Sequence, residues 1–200
     1  LPRLLFIHED APHRKQAHEL DADKSDFRHL PTIFLARDPR DVIVSNYHHM
    51  THRARSNHLP LERFVRTYFP GLIHYYNLWA GAELNLDAFH LVRYEDLRKA
   101  PARELARILD FLDVRENVTD EDLQEAVDYC SIDNMRIYER VNRFNTTILS
   151  NTGSRNAAKV RRGEAGGFRH ELDPATQQWC HEHLHALSPT FGYTPTPRDL

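Results

Sequence analysis

Four places in the chain carry side chains that could do chemistry, two of them on an anion. The first pairs Arg37 with Ser45. Arg37 stands where the apolar run Thr32–Ala36 stops, and Asp38-Pro39 follow it. Asp caps the first free N–H groups of a helix, and Pro is tolerated at the first helical position. A strand that turns into a helix here leaves unpaired N–H groups beside a fixed guanidinium, which suits an anion. Ser45 falls two turns along that helix, so its hydroxyl is expected to reach the same anion. The second place is the basic, glycine-containing run Lys159–Arg169, with Arg161, Arg162 and Gly163 near its head. Glycines let a backbone fold closely around an anion, and the arginines neutralise it. The third is His8, which follows the apolar residues Leu4–Ile7. Imidazole is the side chain best suited to take a proton near neutral pH. The fourth is Tyr94, in Val92-Arg93-Tyr94-Glu95-Asp96-Leu97, where a phenol offers both an aromatic face and a hydroxyl donor.

The elements that must position these groups follow from hydrophobic spacing and turn chemistry. Strands are expected at Arg3–His8, Thr32–Arg37 and Ala88–Tyr94. Glu9–Leu30 reads as loop with one helical piece. Helices are expected over Asp38–Arg53, Leu61–Phe69, Leu72–Glu83, from Pro101 onward and over Asp120–Tyr129, with Pro70-Gly71 separating the second from the third. Leu105, Ile108, Leu109 and Leu112 follow helical spacing behind Pro101. Ser131–Phe144 is read as helical, Thr146–Gly167 as loop. A last helix starts at Asp173-Pro174 and ends near Ser188-Pro189. Strands alternating with helices give an α/β fold with a parallel sheet.

The bulk composition excludes several classes. Two hundred residues, 40% hydrophobic and 28% charged, suit one globular domain over residues 1–200. A net charge of −3 argues against a general nucleic-acid binder. The two cysteines, Cys130 and Cys180, make no disulfide framework, which fits a reducing, cytoplasmic setting. No apolar run approaches membrane-spanning length, so no transmembrane segment is expected. Fourteen histidines include two pairs one turn apart, His48 with His52 and His181 with His185. They lack the acidic or cysteine partners that complete a metal site, and no metal is expected. Nothing in the sequence speaks to oligomeric state.

Taken in order, these segments resemble the sulfotransferases that use 3′-phosphoadenosine 5′-phosphosulfate (PAPS). That family's 3′-phosphate element is an apolar strand, then Arg-Asp/Asn-Pro-Arg/Lys-Asp-Val, then a Ser eight positions after the first Arg. Arg37 and Ser45 match it. The resemblance implies that Arg37, Ser45, Arg161, Arg162 and Gly163 hold the 3′-phosphate, that Tyr94 lies by the adenosine, and that Ser131 and Ile132 contact adenine. It also implies that His8 is the general base on the acceptor. The fold implied is a P-loop-NTPase-like parallel sheet flanked by helices.

The sequence departs from the family in four ways. Phe6 stands where many members carry a Lys. Ile132 replaces a frequent aromatic residue, and Arg162 replaces a Lys. The N-terminal strand and its Pro-Lys-x-Gly-Thr-Thr loop, which cradles the 5′-phosphosulfate, have no counterpart, so an N-terminally truncated domain is expected. The activity implied is transfer of a sulfuryl group from PAPS to an acceptor hydroxyl or amine on a small molecule or glycan, with adenosine 3′,5′-bisphosphate (PAP) as product and no metal. The alternative is an inactive module of the same fold that binds PAP or a protein partner. A nucleotide kinase of the wider class is disfavoured, because no Gly-rich Walker loop is present.

Overall fold

Two parallel strands carry the site at their carboxyl ends. The structure is a computed structural model; residues 4–12, 15–145, 158, 160 and 163–193 are described. Strand β1, Thr32–Ala36, pairs in parallel with β2, Phe89–Arg93. Thr32 lies opposite Phe89 and Ala36 opposite Arg93. The register therefore brings Arg37 and Tyr94, one residue beyond each strand, to the same edge. In open α/β sheets that carboxyl edge is where ligands bind.

The crossover is made by helices α1, Pro39–His48, and α2, Leu61–Glu83. Asp38 caps α1, its carboxylate accepting the Arg40 N–H at 2.9 Å, and Pro39 occupies the first turn. Ile43 and Val44 bury the inner face of α1. A π-helical turn, His49–Arg53, continues α1 to the end expected for it. After β2 come α3, Tyr94–Lys99, and α4, Pro101–Phe111. Next is α5, Asp120–Tyr129, which opens with a reciprocal cap between Thr119 and Asp122. Ser131 caps α6, Ile132–Arg140, and Asp173 caps α7, Pro174–Leu184.

The core centres on Phe34 of β1. Its ring meets Tyr76, Trp79 and Phe191 at centroid distances of 5.4–5.7 Å. Phe64, Val65, Phe69, Leu72, Ile73 and Leu184 are buried with it. The aromatic residues of α2 are thus largely core.

Two expectations are corrected. Helix α2 does not break at Pro70-Gly71; Pro70 lies inside it. An internal proline costs about 3 kcal/mol. Seven apolar side chains of α2 are buried, from Phe64 to Trp79. At roughly 1.5–3 kcal/mol each, they outweigh that cost several-fold. Gly71 serves close approach instead, since a Cβ there would sit 3.0 Å from the Lys15 carbonyl oxygen. The second correction concerns residues 4–8, which form no strand. A strand needs a ladder partner. The sheet of the described residues has two strands, and Leu4–Ile7 stand 47–88% exposed. Two short 3-10 turns, Ala17–Glu19 and Ser25–Phe27, supply the helical character expected between Glu9 and Leu30.

Candidate functional site

Arg37 is held by its backbone before its side chain does anything. The Tyr76 hydroxyl donates to the Arg37 carbonyl at 2.8 Å and accepts the Arg37 N–H at 3.2 Å. Burial is the main cause that pushes the Tyr76 phenol well above its ordinary pKa, so it stays a neutral bridge. Next along the chain, Glu95 accepts the Asp38 N–H at 3.0 Å and also takes the Tyr193 hydroxyl. Asp38 in turn receives Arg40 through two nitrogens, at 3.0 and 2.8 Å. The strand-to-helix turn is therefore braced by α2, α3 and Tyr193.

The Arg37 guanidinium lies over the Tyr94 ring at 4.4 Å. Its Nη2 donates to the Glu164 carbonyl at 2.8 Å and sits 3.3 Å from the Asp41 carboxylate. Its Nε is buried and has no hydrogen-bond acceptor among the described residues. An orphaned buried donor on a charged group is costly, about 1–3 kcal/mol or more. An anion at this point would relieve it.

Arg37 lines a cleft of about 850 Å³, and the other lining residues divide into two kinds. Arg37, Ser45, Tyr94, Gly163 and Glu164 form a polar end. Leu97, Pro101, Leu105, Ala126, Ile132 and Met135 form an apolar trench between α3–α4 and α5–α6. Polar atoms at one end and a flat apolar trough at the other fit a ligand with a phosphate and a planar ring.

The structure gathers most of the residues singled out from the sequence. Arg37, Ser45, Tyr94, Ser131, Ile132 and Gly163 all line this cleft. Ser45 is exposed on α1, its hydroxyl open to a ligand. Ser131 uses its hydroxyl to cap α6, accepting the Asn134 N–H at 3.4 Å. Gly163 has φ +67°, and a Cβ there would fall 2.1 Å from Ile132 Cδ1. The positive φ favours glycine, and a Cβ there would push the end of the Ile132 side chain aside. Arg161 and Arg162 lie outside the described residues.

His8 is not among the residues lining the cleft. It sits exposed in irregular backbone, one residue before Glu9. Glu9 binds Lys24 at 2.9 Å and takes the Trp79 indole N–H at 3.3 Å, tying this segment to α2. Of the histidine pairs, His48 meets Glu171 at 2.6 Å and stacks on His52. No group of three or more potential metal ligands is present among the described residues. No described helix is long and apolar enough to cross a membrane.

Reading the sequence missed Asp41. Its carboxylate accepts the N–H of Gly166 at 2.7 Å and of Phe168 at 2.9 Å, so α1 holds the glycine-containing run directly. The available signal was an acidic residue in the first turn of the helix that follows Arg37, four positions on from it.

Comparisons with known proteins bear on the family and the fold. The sequence profile of the sulfotransferase domain matches residues 26–188. Cytosolic sulfotransferase 12 of Arabidopsis thaliana is 28% identical over 149 residues, 70% of this chain and 44% of that protein. Sulfotransferase 1B1 of Canis lupus familiaris is 27% identical over 156 residues, 73% of this chain and 50% of that protein. The chain thus spans about half the length of the curated relatives it matches. Among solved structures, a mouse sulfotransferase complexed with PAP superposes with a TM-score of 0.63 at 18% identity, covering 78% of this chain and 57% of that one. Retinol dehydratase, in complex with androsterone and PAP, gives 0.60 at 24% identity, covering 77% and 46%. With 163 consecutive residues under one profile and the same fold in both solved structures, this chain belongs to the sulfotransferase domain family.

Proposed function

We propose that this chain is the 3′-phosphonucleotide-binding part of a sulfotransferase that moves a sulfuryl group from PAPS to an acceptor hydroxyl or amine. The observation that carries the reading is Arg37. Its buried Nε lacks an acceptor among the described residues and its side chain is fixed over Tyr94, at the polar end of a cleft whose far end is apolar. A 3′-phosphate supplies the missing acceptor, and an adenine ring suits the trench beside Ile132. Arg37 and Ser45 would hold the phosphate, with Arg161 and Arg162 as further cations. Tyr94, Ser131, Ile132 and Gly163 would shape the nucleoside side.

The donor supplies an activated sulfuryl group, whose transfer resembles phosphoryl transfer in gathering charge on peripheral and leaving oxygens. The work of this chain is positioning: anchoring the far phosphate fixes where the reactive end lies. His8 is the base we assign to the acceptor proton. Support comes from its neighbour Glu9, anchored to Trp79 and Lys24, which ties the segment to the sheet side of α2. The acceptor class we favour is a small molecule, as with the retinol and androsterone named for retinol dehydratase; a sugar hydroxyl is the second choice. A cytoplasmic location is in keeping with relatives named cytosolic sulfotransferases. One core shared by β1, α1, α2 and α7 supports a single domain.

Calorimetric titration with PAP and with adenosine 5′-phosphate, beside transfer of radiolabelled sulfate from PAPS, tests the reading. Tighter binding of PAP is expected for this chain, and transfer for the protein carrying a 5′-phosphosulfate loop. Equal affinity for the two nucleotides would remove the proposal. Binding without transfer by a protein that has that loop would leave a non-catalytic module.

A further inference from the structure

A carboxylate in a phosphate site is a paradox that the geometry resolves. Asp41 lines the cleft, is 3% exposed, and lies 3.3 Å from the guanidinium of Arg37. By Coulomb's law alone it should repel a phosphate and weaken binding. Both of its oxygens are occupied. Oδ2 accepts the Gly166 N–H and faces Arg37 Nη2; Oδ1 accepts the Phe168 N–H. Its charge is thus spread over three donors and the amino-terminal end of α1. The same Arg37 Nη2 donates to the Glu164 carbonyl. Arg37, Asp41 and residues 164–168 therefore form one closed hydrogen-bonded unit. At its other end the loop is tied again, where the Val160 N–H donates to the buried Glu139 carboxylate at 3.1 Å.

We propose that Asp41 is a positioning residue: it holds the glycine-containing loop and the Arg37 guanidinium at one separation, so that together they form a ready-made cradle for the 3′-phosphate. The inference rests on the nucleotide reading given above. Aspartate suits the role because it carries no donor. An asparagine would accept one of the two backbone N–H groups and turn its own NH2 against the other. It would also release Arg37 from its ionic partner. Charge repulsion and positioning predict opposite signs for that substitution, which makes it decisive.

The experiment is Asp41→Asn in the 200-residue chain, titrated with PAP and with adenosine 5′-phosphate, with thermal unfolding as a check on folding. The preference for PAP should fall by about tenfold or more, the scale found when a partner that orients a binding group is removed. Affinity for adenosine 5′-phosphate should change much less, an asymmetry that a general loss of stability would not produce. Unchanged or stronger PAP binding overturns the inference while leaving the nucleotide reading intact. If the unsubstituted chain itself shows no preference for PAP, the nucleotide reading falls and takes this role with it. Should Asp41→Asn fail to fold, amide hydrogen exchange on the unsubstituted chain decides. Slow exchange at Gly166 and Phe168 without nucleotide supports the cradle, and exchange at free-peptide rates overturns it.

Discussion

At the scale of single residues, the site depends on how one guanidinium is held. Tyr94 was read as a neighbour of adenosine, and the structure adds that its ring lies beneath Arg37 at 4.4 Å. Tyr94→Phe keeps that face and should bind PAP nearly as well. Tyr94→Ala should weaken binding by roughly 0.5–2 kcal/mol, the range of a partly desolvated cation–π contact. Calorimetry on the two variants separates the ring from the hydroxyl. Gly163 shows why the glycine matters. Gly163→Ala combines a positive φ with a Cβ driven onto Ile132 Cδ1, so it should destabilise the chain or displace the loop by about 1–3 kcal/mol. Thermal unfolding and PAP affinity measure the two outcomes together. Arg37 and Ser45 were legible because their chemistry is local: a strand end, a cap and a position two turns along the helix. Asp41 falls within the same motif, yet no role for it is legible there. Its partners Gly166 and Phe168 lie 125 and 127 residues away, and no local pattern encodes them.

At the scale of elements, helices with strong caps were read well and segments needing distant partners were not. Thr119, Ser131 and Asp173 each announce a helix start, and each caps one here. Pro70-Gly71 misled because a local breaker signal was opposed by burial along both halves of α2, which only the assembled core reveals. Leu4–Ile7 read as a strand because its residues favour one, yet strand formation depends on a neighbouring ladder. The packing of β2 against α4 gives a prediction on pH. His90 stacks on Phe111 at 5.1 Å, with Glu104 and Arg107 of α4 beside it. Burial first, then the Arg107 charge, lowers its pKa below the usual 6.5, while Glu104 opposes the shift. The folded state therefore prefers the neutral ring. Its contribution is complete above pH 6.5 and is lost as pH falls through the lower folded value, because the unfolded chain takes up the proton first. His90→Phe should make the unfolding midpoint fall less steeply below that pH than in the unsubstituted chain. Parallel pH profiles would contradict this.

At the scale of the whole molecule, the parallel register is what turns scattered residues into a site. Ala36 lies opposite Arg93, so the two strands end level, and α1 and α3 both begin at that edge. The order strand, helix, strand was legible in the sequence, and so was the α/β class. The cleft's apolar wall from α3 to α6 was less so: Ile132 was flagged, while Leu97, Leu105 and Ala126 looked like ordinary helix positions. The central claim is that this edge selects a nucleotide by its 3′-phosphate through Arg37. The most direct measurement is calorimetric affinity of Arg37→Ala for PAP and for adenosine 5′-phosphate, with Ser45→Ala alongside. Loss of a charge-assisted contact in a partly desolvated site should cost PAP roughly 2–5 kcal/mol. Ser45→Ala should cost less, and adenosine 5′-phosphate should be little affected by either change. Equal losses for both nucleotides in Arg37→Ala would contradict the account.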